Sequence, residues 1–452
     1  MTQRIRVSDQ GFALPAILGM GLLMLMIATT LIIKAQGDQT TAIAQRDTAE
    51  TLALAEGGSS RTLGMLNSNY QSFLILNYDP NNLLPPNTGA PNQWSTPPEP
   101  PPCFDASQLD TILLNGRIPT TVAANTYTVE AYRYDTTTQT GTLLVKGYPP
   151  NSTAFARVQQ TFNVSSIPSL DPANFPGLYG DRVNLGNNDV LGAIGGNVFC
   201  KNCLLANTAT QCINGQPTQG GLRAAIGALN NGVVQGQIRL GKISLPRLPT
   251  APTGAIPLGN FSGNGVQLPG LRDQPISIDS GVPTYSYALD SLTMSGNNIM
   301  RVNTTNARIN FYVRGNITMS GNSQIKNVCT GCTSYGGTNL GNPARFSIYG
   351  KPDDGDTSYD QEFTLNGGAT PSNVFIYAPD ARMGINGGSS SPDIYGAVWV
   401  KEWNGSNSNN ADISVPNNMR SLLRLEGFNV DNLITVYRTS ANTRWQRRSQ
   451  EP

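Results

Sequence analysis

The six cysteines are the residues of this sequence with the clearest chemical potential. They are Cys103, Cys200, Cys203, Cys212, Cys329 and Cys332, and four of them form two Cys-x-x-Cys motifs, in GNVFCKNC and IKNVCTGC. Four thiolates can bind zinc tetrahedrally, but the long separation between the two motifs far exceeds the spacing of a zinc ribbon. An even number of cysteines in a segment expected outside the cytoplasm favours disulfides. Crosswise bridges between the motifs, local pairing within each motif, and a third bridge between Cys103 and Cys212 all remain open.

An acidic stretch, GKPDDGDTSYDQE, is the second candidate site. It contains Asp353, Asp354, Asp356 and Asp360 in an otherwise charge-poor chain. Carboxylates are the hard oxygen ligands that calcium prefers, so these residues are a candidate calcium site, although their spacing does not match an EF-hand. A solvated turn would have the same composition. Carboxylate pairs also serve polysaccharide-cleaving enzymes, but no Lys or Arg cluster accompanies these acids at a recognisable spacing.

Composition narrows the functional classes. The chain has 452 residues, no histidine, 13% charged residues and a net charge of +1. Without histidine, a Ser-His-Asp hydrolase and a histidine-ligated metal enzyme are both excluded. The near-neutral charge gives no reason to expect nucleic acid as a partner. We therefore predict a non-enzymatic protein with no cofactor other than the candidate calcium.

An uncharged run, Phe12 to Ile33, determines where the other elements must lie. As a helix it is about 33 Å long, which is enough to cross a bilayer. Arg4 and Arg6 precede it, so the positive-inside rule places the N-terminus in the cytoplasm and everything after Lys34 outside. The helical pattern continues without proline to about residue 66. These features predict a single-pass inner-membrane protein with an exported C-terminal region.

The junction before this run resembles a known processing site. Gly11-Phe12, after a short basic leader, resembles the prepilin peptidase site of type IV pilins and pseudopilins, and Arg46-Asp47 with Ala55-Glu56-Gly57-Gly58 is similar to minor pilins of the PilX type. The resemblance covers residues 1–66. It implies that the leader, 1–11, is removed by prepilin peptidase, that Phe12 becomes the methylated N-terminus, and that the helix, 12–66, assembles with other pilin subunits through the inner-membrane assembly machinery. Ala16 stands where the family usually has Glu, which fits a low-copy or tip subunit better than a major one.

The rest of the chain divides into segments that differ in composition and in hydrophobic pattern. Residues 80–102 are dense in proline and predict an extended linker. Residues 103–167 contain alternating segments that predict an antiparallel pilin-like sheet. Residues 178–440 contain short strands with a shared ending, SLTMSGN, NITMSGN, EFTLNGG and RMGINGG, which predict a parallel β-solenoid head. Within it, 204–281 is less regular and is expected to be an insertion or edge excursion. Residues 441–452 form a basic tail.

Aromatic residues gather toward the end of the predicted head. Tyr395 and Trp399 alternate along one strand with Tyr377 before them, whereas Trp403 lies in a Lys-Glu-Trp-Asn-Gly turn that could be exposed. Core packing is the default interpretation, and sugar stacking is the functional one.

Together these features predict an α+β pilin-like N-terminal part followed by an all-β parallel solenoid. The predicted function is that of a minor, tip-type subunit of a type IV pilus or pseudopilus, located in the inner membrane and then at the cell surface. Its head would contact a surface polysaccharide or a protein. The alternative is a surface-anchored, β-helical, polysaccharide-active lyase or hydrolase.

Overall fold

The structure is a computed structural model that describes residues 13–448, apart from 69, 86–91, 98–102, 105–126, 150–153, 169–174, 206–207, 209, 214–215, 242, 263, 334, 369, 387–391, 406–410, 432, 434 and 441–443. Two compact units are present. Unit 1 comprises residues 1–96, 106–164 and 439–452, and unit 2 comprises residues 97–105 and 165–438.

Unit 1 is built on one continuous helix, α1, which spans Ala13–Ser68. Pro15 lies in its first turn, where a missing backbone N–H removes no hydrogen bond, and no proline interrupts it afterwards. A short 3₁₀ helix, Gln71–Ile75, follows. The strands of the adjoining antiparallel sheet in unit 1 are β1 (Tyr127–Asp135), β2 (Thr140–Gly147), β3 (Ala156–Pro168) and β25 (Arg444–Arg448), whereas β24 (Thr435–Thr439) lies almost entirely in unit 2. β1, β2 and β3 are hairpin neighbours, as the alternating sequence predicts.

The second half of α1 packs against this sheet through a small-residue face. Thr51, Ala55 and Ser59 recur at helical spacing, and each is at most 1% exposed. A Cβ at Gly147 of β2 would lie 2.4 Å from both the backbone N of Ala55 and the backbone O of Thr51. The helix and the strand therefore touch backbone to backbone, which only glycine permits.

The predicted linker differs from the structure over its described residues. Trp94 is fully buried in unit 1, and its indole N–H donates to the backbone oxygens of Phe73 and Leu76, at 3.2 Å each. The carboxylate of Asp79 accepts from the backbone N–H groups of Leu83 and Leu84. Proline removes donors but does not prevent packing, so the apolar residues between the prolines bury themselves in the core.

The described strands of this sheet begin at Tyr127, and residues 105–126 of the predicted segment 103–167 lie outside the described residues. The expected basic tail includes β25, which pairs antiparallel with β3. β3 has a free edge on that side, and an extended segment satisfies its backbone donors and acceptors whatever its side-chain charges.

Unit 2 consists mostly of short strands joined by turns, with two seven-residue helices, α2 (Gln219–Ala225) and α3 (Met419–Leu425), and a 3₁₀ turn at Pro343–Arg345. The strands are β4 (Pro176–Asn184), β5 (Asp189–Leu191), β6 (Asn197–Cys200), β7 (Cys212–Ile213), β8 (Gln216–Pro217), β9 (Ile238–Leu240), β10 (Ile256–Phe261), β11 (Gln267–Leu268), β12 (Ser277–Asp279), β13 (Val282–Met294), β14 (Ile299–Asn303), β15 (Arg308–Val313), β16 (Ile317–Met319), β17 (Gln324–Val328), β18 (Phe346–Tyr349), β19 (Gln361–Asn366), β20 (Thr370–Ser372), β21 (Val374–Asn386), β22 (Ile394–Asn404) and β23 (Asp412–Ser414).

Parallel pairing dominates unit 2. The four repeat segments of the sequence lie on adjacent parallel strands, with Thr293 of β13 opposite Thr318 of β16, Thr318 opposite Thr364 of β19, and Thr364 opposite Gly384 of β21. Strands β13, β15, β18, β21, β19 and β16 close on one another in a barrel-like ring of parallel pairs. Their alternate side chains, such as Ile348, face the apolar core.

The strand order is not the chain order. β22 pairs with β21 on one side and with β4 on the other, and β6 and β9 continue beyond β4. β10 pairs with β13, at the opposite end of the same sheet. Along the sheet β9 and β10 are eight strand steps apart, so the chain must pass the intervening strands between them. The extended segment 243–252, which we call the strap, makes most of this crossing and accounts for part of the irregular 204–281 region.

Candidate functional site

The N-terminal half of α1 is the most conspicuous exposed surface of unit 1. It is the one helix among the described residues that is long and apolar enough to cross a membrane. Its large side chains from Leu14 to Ile33 are between 52% and 71% exposed. Ala16 lies on this exposed helix, and as an alanine it offers no carboxylate there. Gly11 and Phe12, the predicted cleavage and methylation site, lie outside the described residues.

All six cysteines are paired. The bridges are Cys103–Cys212, Cys200–Cys203 and Cys329–Cys332, and all three lie in unit 2. Pairing is thus local within each Cys-x-x-Cys motif, and the third pair is the one between the two remaining cysteines. The crosswise alternative does not occur, because β6 and β17, which precede the two motifs, lie in different sheets.

Three of the predicted calcium ligands surround a lysine. The Lys401 ammonium on β22 lies 2.8 Å from Asp353 Oδ1, 3.3 Å from Asp356 Oδ1 and 3.9 Å from Asp354 Oδ1. Asp380 of β21, which the sequence did not single out, lies 3.2 Å away. The ammonium occupies the space between these carboxylates where a cation would bind.

Asp360 takes a different position from the other predicted ligands. Its backbone N–H donates to Asp380 O, and its backbone oxygen accepts from the Lys351 ammonium. Its hydrogen bonds to the cluster are made by its main chain, and its side-chain charge acts on Asp380 without direct contact. The structure therefore brings together part of the predicted calcium ligand set, and it does so around the Lys401 ammonium.

Burial and the neighbouring charges shift the pKa values of this cluster in opposite directions. Burial alone would lower the pKa of Lys401, but hydrogen bonds to Asp353 and Asp380 outweigh it and raise that pKa. Burial, with the nearby charges of Asp360 and Asp354, raises the pKa of Asp380 in spite of the hydrogen bond from Lys401. For Asp353, burial raises the pKa, but the hydrogen bonds from Lys401 and from the Gly355 N–H, together with the nearby lysine charges, outweigh burial and lower that pKa. The side chains of Lys401 and Asp380 are each only 3% exposed, so they form a buried ion pair.

A cleft of about 730 Å³ opens beside this cluster, between the strap and the outer face of the parallel strands. The strap is fixed at two points. Tyr377 Oη donates to the backbone oxygen of Pro246 at 2.7 Å, and the Ser244 N–H donates to Leu433 O at 2.8 Å. Leu245 and Leu248 pack against the core, while Arg247 between them is exposed.

The floor of the cleft includes part of an aromatic row that sequence reasoning missed. Six aromatic side chains occupy equivalent positions on adjacent parallel strands, and they are Phe199, Tyr179, Trp399, Tyr377, Tyr349 and Tyr312. The signal is visible in the sequence as an apolar residue, then an aromatic one, then a small or apolar one, as in FYV, IYG, IYA, VWV, LYG and VFC. Because the spacing between copies is irregular, a search for fixed periods does not find it.

Trp403, whose exposure the sequence left open, is buried. Trp403 is part of β22 and is 0% exposed, as is Trp399, whose indole N–H donates to Pro176 O. The strand continues through the segment interpreted as a turn, because it pairs on both sides, with Met383 and Val183 opposite Trp403. Tyr395 is partly buried, so the core interpretation holds for most of this group.

Comparison with known proteins adds one match. The model of a family described as a domain of unknown function (DUF7305) matches residues 273–421, from just before β12 into α3. No curated protein and no solved structure matches the chain. The match covers about a third of the chain and carries no activity with it.

Proposed function

We propose that this chain is a structural subunit of a type IV pilus or pseudopilus, similar to minor pilins of the PilX type. One observation carries the proposal: a single uninterrupted helix has an apolar, uncovered first half and a second half packed on an antiparallel sheet. The apolar half holds the subunit in the inner membrane before assembly and packs against the helices of neighbouring subunits afterwards. The resemblance at Gly11-Phe12 supplies the cleavage step, by prepilin peptidase, that releases the helix for assembly.

In this proposal unit 2 is a β-solenoid head, which the subunit displays outside the cell. Support comes from the parallel registers, in which Thr293 and Thr318, 25 residues apart, are direct partners and the same position continues to Thr364. One coil per repeat is the simplest chain path that gives such pairs. A stack of this kind places a stiff, elongated surface outside the cell, where it contacts a partner protein or a glycan.

A minor or tip position follows from Ala16. A major pilin buries a carboxylate at this position against the N-terminal amine of its neighbour, and alanine cannot do so. Enzymatic function is disfavoured, because the carboxylate of Asp380 and its lysine partner are inaccessible to a polymer substrate. We therefore retain the structural role for both units.

Mass spectrometry of the mature N-terminus tests the assembly proposal. The chain is expressed in a host with a type IV pilus system and recovered from the cell surface. We expect a mature protein that begins with methylated Phe12. An N-terminus at Met1 in surface-derived protein would refute the proposal. Gly11→Val, which blocks cleavage after residue 11, should retain the leader and leave the protein in the inner membrane.

A further inference from the structure

We propose that the cleft between the strap and the parallel strands binds a linear acidic oligosaccharide. This inference rests on the proposed function, because it names the ligand class of the displayed head. The cleft runs from Tyr179 on β4 to Tyr312 on β15, which is four strand steps, or about 19 Å at the usual strand spacing. This length suits a chain ligand lying along the stack rather than a single compact metabolite.

The charges that line the cleft favour an anion. Four cationic and two acidic side chains face it, and these are Lys201, Arg247, Arg314 and Lys351 with Asp181 and Asp353. Lys201 lies 2.6 Å from Asp181 Oδ2, and Asp353 Oδ1 lies 2.8 Å from the Lys401 ammonium, which it shares with the other carboxylates of the cluster. Four cations against two acids give the cleft lining a net charge of +2.

The remaining cations come from both walls of the cleft. Arg247, on the strap, is exposed and makes no hydrogen bond or ion pair with any described residue. Across from it, Arg314 has only a loose ion pair with Asp290, 3.6 Å apart and largely exposed, which contributes little. Lys351 donates to one backbone oxygen, Asp360 O, at 3.4 Å. Carboxylates spaced along a chain could pair with these groups in turn, and Arg247 offers the planar fork that binds a carboxylate with two hydrogen bonds.

The backbone that carries Arg247 is held in place before any ligand arrives. Pro246 and Pro249 restrict it on both sides, and the hydrogen bond from Tyr377 fixes the strap beside it. A cation on a fixed backbone segment loses less conformational entropy on binding than one on a free loop. The half-buried ring of Tyr312 adds an amphipathic surface on which a sugar ring can pack.

A saccharide fits this floor better than a peptide does. Extended peptides bind sheets by adding a strand to a free edge. The floor strands β15, β18, β21, β22 and β4 are each paired with a neighbour on both sides, so the cleft offers no free edge. Ligand recognition must then come from side chains that recur at the strand spacing, close to the length of one pyranose residue.

Titration calorimetry on the full-length chain in detergent tests this inference. The probes are short oligogalacturonates, neutral cello-oligosaccharides of equal length, and oligoglutamate peptides of equal length. We expect the oligogalacturonate to bind and both other probes to bind at least about ten-fold more weakly. Arg247→Ala and Lys351→Ala should each weaken oligogalacturonate binding about 10- to 150-fold, the range expected for a hydrogen bond to a charged group. Arg272→Ala removes an exposed arginine of unit 2 that does not line the cleft, so it should change affinity less than two-fold.

Several results would overturn the inference. One is the absence of oligogalacturonate binding by the unaltered chain, and another is equal binding of the neutral sugar. Equal binding of oligoglutamate would show that the cleft is a peptide site. An Arg272→Ala loss as large as that of Arg247→Ala would show diffuse surface electrostatics. None of these outcomes concerns the helix, so the N-terminal mass measurement can fail or succeed independently of them.

Discussion

Replacing Lys401 by alanine should destabilise unit 2 by about 3–5 kcal/mol, the cost of removing one partner from a buried ion pair. The ammonium is 3% exposed and lies 3.2 Å from the equally buried carboxylate of Asp380. Asp353 and Asp356 are more exposed and can turn to solvent when the lysine is lost. Asp380 cannot, so it must either remain charged without a partner or take up a proton at neutral pH.

The loss of stability in unit 2 is measured by hydrogen exchange of peptides from β21 and β22 at increasing guanidinium concentrations. Lys351→Ala is the matched control, because that lysine makes one long hydrogen bond to a backbone oxygen. It should change the free energy of unfolding by less than about 0.5 kcal/mol. Lys401→Met combined with Asp380→Asn should recover much of the loss, since no buried charge then lacks a partner. Equal effects of Lys401→Ala and Lys351→Ala, or no recovery in the double variant, would refute the reasoning.

The pH dependence gives an independent check. The folded-state pKa of Lys401 is raised above its ordinary value of 10.5. A raised lysine pKa contributes stability that is fully present below pH 10.5 and is lost as the pH rises through the folded-state value. The unaltered chain should therefore lose stability above about pH 10.5 more steeply than the Lys401→Met, Asp380→Asn variant. On the acid side Asp353 and Asp380 act with opposite signs, so the alkaline limb is the informative one.

Three further predictions follow from other parts of the chain. Ala16→Glu should increase incorporation into filaments, measured as the subunit's share of sheared pili, and unchanged incorporation would remove that position from the argument. Gly147→Ala should destabilise unit 1 by about 2–4 kcal/mol because its Cβ would overlap the helix backbone, whereas Gly57→Ala, which meets nothing within 4 Å, should be neutral or stabilising in thermal unfolding. The Cys103–Cys212 bridge joins cysteines that are 109 residues apart, so removing it should cost unit 2 up to about 4–5 kcal/mol in the chain-entropy model. A loss no larger than that from removing a bridge between cysteines three residues apart would contradict this model.

The elements of unit 1 were largely predictable, because their signals are local. An uncharged run without proline specifies α1, and alternating residues with tight turns specify β1 to β3. The burial of Trp94, in the segment predicted to be a linker, was not predictable from proline content. It depends on whether Trp94 finds a pocket among Phe73, Tyr78 and Tyr132, all distant in sequence or brought close only by folding.

The site residues divide in the same way. The cysteines and the acidic stretch were visible by residue type, but their partners were not. Asp380 and Lys401 complete the cluster from two neighbouring strands, and nothing in the spacing of Asp353 indicates them. Arg247 lies in a segment that the sequence marks only as irregular, and its position depends on the route of the strap across the sheet.

The position of β4 beside β22 has a physical reason in the charges of the strands. Glu362, Arg382, Glu402 and Arg182 are successive partners across β19, β21, β22 and β4, so charges of opposite sign alternate. Glu402 bonds to both neighbours, at 3.2 Å to Arg382 and 2.8 Å to Arg182. Opposite charges directly across a sheet stabilise the pair and like charges destabilise it. Arg182 therefore matches the open side of β22, and the early strands extend the sheet beyond the last ones. That order leaves β9 and β10 at opposite ends and makes the strap, with Arg247 on it, a necessary consequence of strand pairing.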